Sequence, residues 1–414
     1  MKVLHVIPSF APAWRYGGPI VAALGLTREL ARQGHDVTVM TTNIDGPGVL
    51  DVPLDRPVSM DGVNVWYFPI QRPRWYYYSR PLARALRQQV EGFDIVHIHS
   101  IYLWPTTVAS FWCRRHGVPY LVRLAGSLDP ASLTKSYEGR RASIASKAKK
   151  RLYLNTLGRW DLGRANGLHF TSKAEMESSL ALKLRPPGYV LPLGVDLPEA
   201  GRGVGGLRLR QDYPELRGKK IVLFLSRLDP KKGLDVLVPA MARLASRRDD
   251  FALVVAGGGT TAYESKVASL ISEHGLDDRT VFLGMVEGSD KWSVLSEADV
   301  YILPSYIENF GISVVEAMAA GLPVVISDQV NIHQEVSAGG AGLVTSLDPE
   351  DVANAMDRLL TDEALRATMG DAGRALAREL YSWERAARNI AHEYKNIISG
   401  GRHAHLDTMP SSMK

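Results

Sequence analysis

Glu308 and Glu316 stand with seven residues between them in ENFGISVVE, and the stretch reads as a loop running into a helix. Gly311 marks the turn, and Ile312 to Ala320 carries apolar residues on nearly every face, as a helix covered on all sides does. Gly321 and Pro323 end it. A glutamate at the middle of a buried helix is costly unless its carboxylate has a partner, and sugar hydroxyls are natural partners. The helix start at Gly311 to Ser313 offers free amides and the positive end of the helix dipole, which favour a phosphate. Hydroxyls and phosphate together describe a sugar nucleotide.

Cations stand where such a ligand needs them. SRLDPKKGLD, residues 226 to 235, follows a strand pattern and precedes a helix, the position at which open α/β sheets hold nucleotide phosphates. Arg227 offers a planar two-pronged contact and Lys232 a movable point charge, and both suit a phosphate. Gly17 and Gly18, after the first strand, let the backbone approach a phosphate or an acceptor closely. DIVHIHS sets His97 and His99 on one face of a strand end. An HxH pair invites a metal, but no Asp, Glu or Cys follows it within ten residues. The glycines of AGGG, residues 256 to 259, fit either a dinucleotide turn or a tight turn lining a nucleotide site.

PSYIENFGISVVEAMAAGLPVV, Pro304 to Val325, resembles the signature of the retaining glycosyltransferases of family four, the group 1 glycosyltransferases. The resemblance implies a GT-B fold: two Rossmann-like, doubly wound parallel-sheet α/β domains facing a central cleft. It implies a nucleoside diphosphate sugar as donor, with no cofactor and no catalytic metal. Under it Glu316 holds the ribose hydroxyls and Glu308 the transferred sugar, with Phe310 and Gly311 in the same donor site. SRLDPKKG is similar to the family element G-R-L-x-x-x-K-G with Ser226 in place of Gly, so Arg227 and Lys232 fall on the diphosphate. Gly17 and Gly18 fall beside that diphosphate, and FLGMV, ending at Val286, is the segment whose backbone reads the nucleobase. His99 takes the position that contacts the donor sugar, with His97 as its support. Leu193 departs from the pattern, because the family commonly has Asn before Gly194. No residue reads as a nucleophile on the opposite sugar face, and the resemblance implies same-face transfer in which a leaving phosphate oxygen takes the acceptor proton.

The elements that must position these residues are legible as alternating strands and helices. KVLHVI, DVTVM, VNVWYF, DIVHIH, PYLVRL, GLHF and YVLPL make one series, and KIVLFLS, FALVVAGGG, TVFLG, ADVYILPS, PVVIS and AGLVT a second. Gly194 to Lys220, rich in Gly, Pro and charge, reads as the linker. The expected division is residues 1–195 as an acceptor-side domain and 196–382 as the nucleotide-sugar domain. Residues 383–398 form a helix that the resemblance sends back to the first domain, and 399–414 a disordered tail.

At 414 residues the chain is long for one core. Residues 1–196 hold 25 Lys and Arg against 14 Asp and Glu, while the rest holds 24 against 30. The basic half suits an anionic surface. RRASIASKAKKRLYLN, residues 140 to 155, has the look of a cationic helix lying on a membrane, and RWYYYSR, residues 74 to 80, adds interface aromatics. A lipid-linked saccharide acceptor is therefore expected, with no nucleic-acid partner. Cys113 is the single cysteine, which leaves no internal disulfide and suits a reducing compartment. The start lacks a signal-peptide pattern, and no apolar run is long enough to span a bilayer, so a cytoplasmic protein is expected, peripheral on the inner face of the membrane at most. Two other readings share the motifs: a GT-B sugar-nucleotide epimerase, and a non-catalytic sugar-nucleotide-binding protein.

Overall fold

The computed structural model describes residues 1–128, 152–198 and 207–400. The chain divides into two compact units, one formed by Met1–Gly194 with the helix Trp383–Ile398, the other by Val195–Ser382.

The first unit is built on β1 (Lys2–Ile7), β2 (Asp36–Thr42), the small hairpin β3 (Ile44–Asp45) and β4 (Gly48–Val49), β5 (Val58–Met60), β6 (Val63–Phe68), β7 (Ile95–His99), β8 (Tyr120–Arg123), β9 (Gly167–Phe170) and β10 (Gly188–Val190). Its sheet runs β10-β9-β8-β7-β1-β2-β6-β5, parallel except where β5 meets β6. β1 and β7 are buried almost end to end, which is why they read as continuous apolar runs rather than alternating ones. Helix Gly18–Arg32 starts with Pro19 in its first turn and turns Ala23, Leu26 and Leu30 to the core.

Helix Trp383–Ile398 belongs to this unit. Its Trp383 ring lies over Gly25, where a Cβ would come within 2.2 Å of a ring carbon, and Glu384 O accepts a 3.1 Å bond from Gln33 Nε2. Of the 74–80 aromatics, Tyr78 packs 4.9 Å from the Trp104 ring and only Trp75 is well exposed. Residues 140–151 of the cationic segment lie outside the described residues, as does the 401–414 tail.

The second unit carries β11 (Lys220–Leu225), β12 (Phe251–Ala256), β13 (Thr280–Gly284), β14 (Val300–Leu303), β15 (Val324–Ser327) and β16 (Gly342–Thr345), all parallel in the order β13-β12-β11-β14-β15-β16. The later part of the expected linker is docked here rather than free. Leu209 and Leu216 are buried, the amides of Leu209 and Arg210 donate to Glu297, and Arg210 pairs with Asp299 at 3.2 Å. Residues 199–206 of that linker lie outside the described residues.

Each sheet reverses its strand order once near the middle, at β1 and β7 in the first and at β11 and β14 in the second. Open α/β sheets bind ligands off the carboxyl ends of the strands at such a reversal. The residues that leave those four strand ends are 8–18, 100–103, 226–232 and 304–311.

Candidate functional site

In the second unit the switch point brings the two glutamates and their cations together. The loop after β14 is tied to the loop after β11: Tyr306 N and Ser305 Oγ both donate to Lys231 O at 2.8 Å, and Tyr306 Oη donates to Asp235 at 2.8 Å. The Glu308 backbone is held from the other side, its N–H donating to Gln329 O and its carbonyl accepting from Asn331 N. Its carboxylate forms an ion pair with Lys232 Nζ and accepts a bond from Gly311 N. Burial pushes the Glu308 carboxyl up, but Lys232 and the amides of Gly311 and Phe310 outweigh it and hold the group below its ordinary value.

Gly311 caps helix Ile312–Ala320 with φ +79°, a left-handed conformation that a side chain resists. Phe310 is buried edge-on against Tyr381, with ring centres 5.4 Å apart, and so supports the turn. Glu316 sits one turn further on, buried, its carboxylate 2.5 Å from Lys291 Nζ. Here burial, helped by Asp196, wins against Lys291 and raises the carboxyl above its ordinary value. The two glutamates are thus paired alike and tuned apart.

Lys291 was not among the sequence candidates. It lies on helix Gly288–Glu297 in a polar stretch without a motif, and only the tertiary fold sets it against Glu316. Replacing Lys291 by Ala leaves a buried carboxylate without its cation, so a loss of about 3 kcal/mol of unfolding free energy is expected at pH 7.5. Urea unfolding measures it, and K291A/E316Q should recover most of the loss because the uncompensated charge is gone.

Arg227 is placed differently from Lys232. It is largely exposed, with its nearest carboxylate, Asp229, at 3.9 Å, so it is available to a ligand at little cost. Val286 is half-buried just after β13, beside the exposed Met285. The AGGG turn is part of the same strand-end layer: Gly257 N donates to Gly284 O at 2.6 Å and Leu228 N to Gly258 O at 2.9 Å.

In the first unit the corresponding strand ends enclose a hollow of about 180 Å³ lined by residues that include Ser9, Tyr16, Tyr77, His99, Ser100 and Arg123. Gly17, φ +66° and ψ −132°, is in a region open essentially to glycine alone, and the space where its Cβ would stand is empty for 4 Å. Gly18 opens helix Gly18–Arg32.

His97 and His99 prove to be part of a buried cluster with His5 and His169, contributed by β1, β7 and β9. His169 Nε2 lies 2.7 Å from Leu191 O, which can only accept, so that nitrogen carries the proton and Nδ1 is an acceptor. His97 Nε2, 3.2 Å from His169 Nδ1, then donates, and Tyr394 Oη donates to His97 Nδ1 at 2.7 Å. The relay ties helix Trp383–Ile398 to the sheet with every imidazole neutral. Burial first, and Arg123 with the neighbouring rings second, hold all four histidines below their ordinary value, His5 and His169 at about 3.

Nitrogens of His5, His97 and His99 lie within 4.8 Å of one another, so the fold supplies HxH with the third imidazole that is invisible next to it in the chain. The chemistry of the set does not suit a dication. Both nitrogens of His97 are taken by Tyr394 and His169, and the Arg123 guanidinium adds positive charge beside the rings.

Residues 208–376 match the family described as glycosyl transferases group 1, and residues 17–194 match the glycosyl transferase 4-like domain. Over 426 residues the chain is 34% identical to the D-inositol 3-phosphate glycosyltransferase of Salinispora tropica, covering 93% of this chain and 82% of that one. The chain belongs to the group 1 glycosyltransferases.

It is also 31% identical over 329 residues to the phosphatidyl-myo-inositol mannosyltransferase of Mycobacterium leprae, covering 77% and 78% of the two chains. HepE of Anabaena, solved in complex with UDP, superposes with a TM-score of 0.74 at 20% identity over 96% of this chain and all of that one. The sucrose-phosphate synthase of Thermosynechococcus elongatus gives 0.73 at 22% over 97% of this chain and all of that one. The fold of this glycosyltransferase is therefore GT-B, with two α/β units on parallel sheets.

Proposed function

We propose that this glycosyltransferase retains configuration and moves a sugar from a nucleoside diphosphate sugar to an acceptor hydroxyl in the assembly of a cell-surface or extracellular polysaccharide. The observation that carries the donor half of this reading is the pair of lysine-bound glutamates at the second switch point. Ligand hydroxyls and phosphate can each take over one side of these ion pairs. Glu316, with its raised pKa, suits a neutral hydroxyl pair such as ribose, and Glu308, held ionised, suits the hydroxyls of the transferred sugar. Lys232 and Arg227 turn to the diphosphate as its negative charge grows on bond cleavage. Phe310, Gly311 and Val286 shape the rest of the nucleotide site, while Gly17, Gly18 and His99 are assigned to the diphosphate and the sugar from the first unit.

No carboxylate lines the hollow that holds His99, so its lining residues offer no carboxylate nucleophile. That supports same-face transfer, with a departing phosphate oxygen taking the proton of the acceptor hydroxyl.

A lipid-linked saccharide is the proposed acceptor, on two grounds: the basic balance of the first 196 residues and the phosphatidylinositol substrate named for one relative. The same basic balance supports the proposed location, cytoplasmic and on an anionic inner membrane face; no helix among the described residues is long and apolar enough to cross a membrane.

The test is a screen of nucleoside diphosphate sugars for release of the diphosphate, with and without acceptor. Release without acceptor at a lower rate, and formation of an α-linked product from an α-linked donor, are expected. A product with inverted configuration, or epimerised donor and no transfer, would refute the reading. Because protein cations meet the leaving charge, transfer should keep at least about half its rate in excess chelator. Loss in chelator and recovery with manganese or magnesium would reopen the question of a metal.

A further inference from the structure

Arg123 is the last residue of β8, in register with His99 on β7 and with His169 on β9, so the three side chains leave the same sheet face in one row. It is buried, 5% exposed, and it lines the hollow of the first unit. Its Nε has no hydrogen-bond partner, and it makes no ion pair with a carboxylate among the described residues.

Glu175 acts on it only through its field. Both Glu175 oxygens are already occupied, Oε1 by Gly126 N at 2.6 Å and Oε2 by Thr171 N and Oγ1 at 2.7 and 2.9 Å. Burial lowers the guanidinium to about 10, so it stays charged at neutral pH, while the histidines around it are neutral. The hollow therefore holds one positive charge whose Nε donor is unspent among the described residues. An uncompensated buried charge is unfavourable in the free protein and is retained where a ligand supplies its counter-charge. Tyr77, Ser100 and Ala125, which share the lining, are non-glycine residues at φ +56°, +70° and +49°, a concentration of backbone strain that accompanies binding sites.

We infer that Arg123 is an oxyanion receptor that binds, through its planar fork, a phosphate group carried by one of the two substrates. The inference rests on the glycosyltransferase reading for the identity of that substrate, not for the anion itself. The hollow, about 180 Å³, has room for a phosphate, which offers two oxygens to one guanidinium. Its source is the diphosphate of the donor or a phosphate on the acceptor.

Calorimetric titration of the full chain with inorganic phosphate tests this. It is run in an R227A/K232A background, which removes the phosphate cations assigned to the second unit. Saturable one-to-one binding is expected, at least about tenfold weaker in R123Q and intermediate in R123K, which keeps the charge but loses the fork. The melting temperature of unliganded R123Q should equal or exceed that of its parent, since a buried charge is removed.

Absence of saturable binding in the parent, or equal binding in R123Q, overturns the proposal, as does R123Q that is less stable yet binds phosphate normally, which would make Arg123 a structural partner of Glu175. If R123Q does not fold, R123K reads the same contact, and affinity equal to the parent's overturns it.

A second arm assigns the source. In the unmutated chain, displacement of phosphate from the Arg123 site by UDP places the donor diphosphate there, while simultaneous binding of both places an acceptor phosphate there. Failure of the donor screen with phosphate binding intact would count against the glycosyltransferase details alone, and the reverse against Arg123 alone.

Discussion

R227A/K232A should lose transfer activity by roughly a thousandfold in kcat/KM, with about thirtyfold attributable to each residue, because on the proposed assignment each removes a charge-assisted contact of about 2 kcal/mol to the leaving diphosphate. The two single variants separate binding from folding. Arg227 is exposed and nearly unpaired, so R227A should leave the melting temperature unchanged. Lys232 is the partner of Glu308, so K232A should also lower stability by leaving that carboxylate without its cation. Adding E308Q to K232A should restore stability without restoring transfer. Transfer by the double variant within a fewfold of the parent would remove both residues from the diphosphate.

Acid should unfold the first unit well before ordinary carboxylates titrate. His5 and His169 have folded-state values near 3 against an unfolded value near 6.5, and His97 and His99 are lowered as well. Below pH 6.5 the unfolded chain therefore binds protons that the folded chain refuses, and stability falls as the pH falls; above 6.5 these groups contribute no pH dependence. At pH 5 each fully neutral buried histidine costs about 2 kcal/mol, so His5 and His169 alone account for about 4 kcal/mol. Urea unfolding at pH 7.5 and pH 5 measures the difference, and H169Q should flatten the dependence by about one quarter. A stability that is level from pH 7.5 to 5 would show that the cluster accepts protons in the folded state and would refute the neutral relay through Tyr394.

The candidate residues of the second unit were legible because each group of them lies within one local stretch of the chain. A glycine turn, a helix covered on all sides and a glutamate within it can be read from one local stretch, and an apolar run followed by Arg, Lys and Gly marks a strand end facing phosphates. Parallel strands buried on both faces also announce themselves as unbroken apolar runs, which is why both sheets and the alternation of helices could be read ahead of the structure.

What the local pattern could not contain is the partner of each charge. Lys291 reaches Glu316 from a helix whose sequence is that of any surface helix, and Arg123 lies in PYLVRL as one basic residue at the end of an apolar strand. The HxH pair was visible, but its meaning was decided by His5, His169 and Tyr394, which come from 92 residues before His97 to 297 after it and meet only when β1, β7, β9 and the last helix pack. Side-chain period and turn chemistry are properties of neighbours along the chain and determine the elements and their inward faces. Burial, protonation and charge pairing depend on which strands stand side by side, and strand order is set by the folded sheet, so the ionisation of the two glutamates, the neutrality of the histidines and the unspent Nε donor of Arg123 were decided by tertiary structure alone.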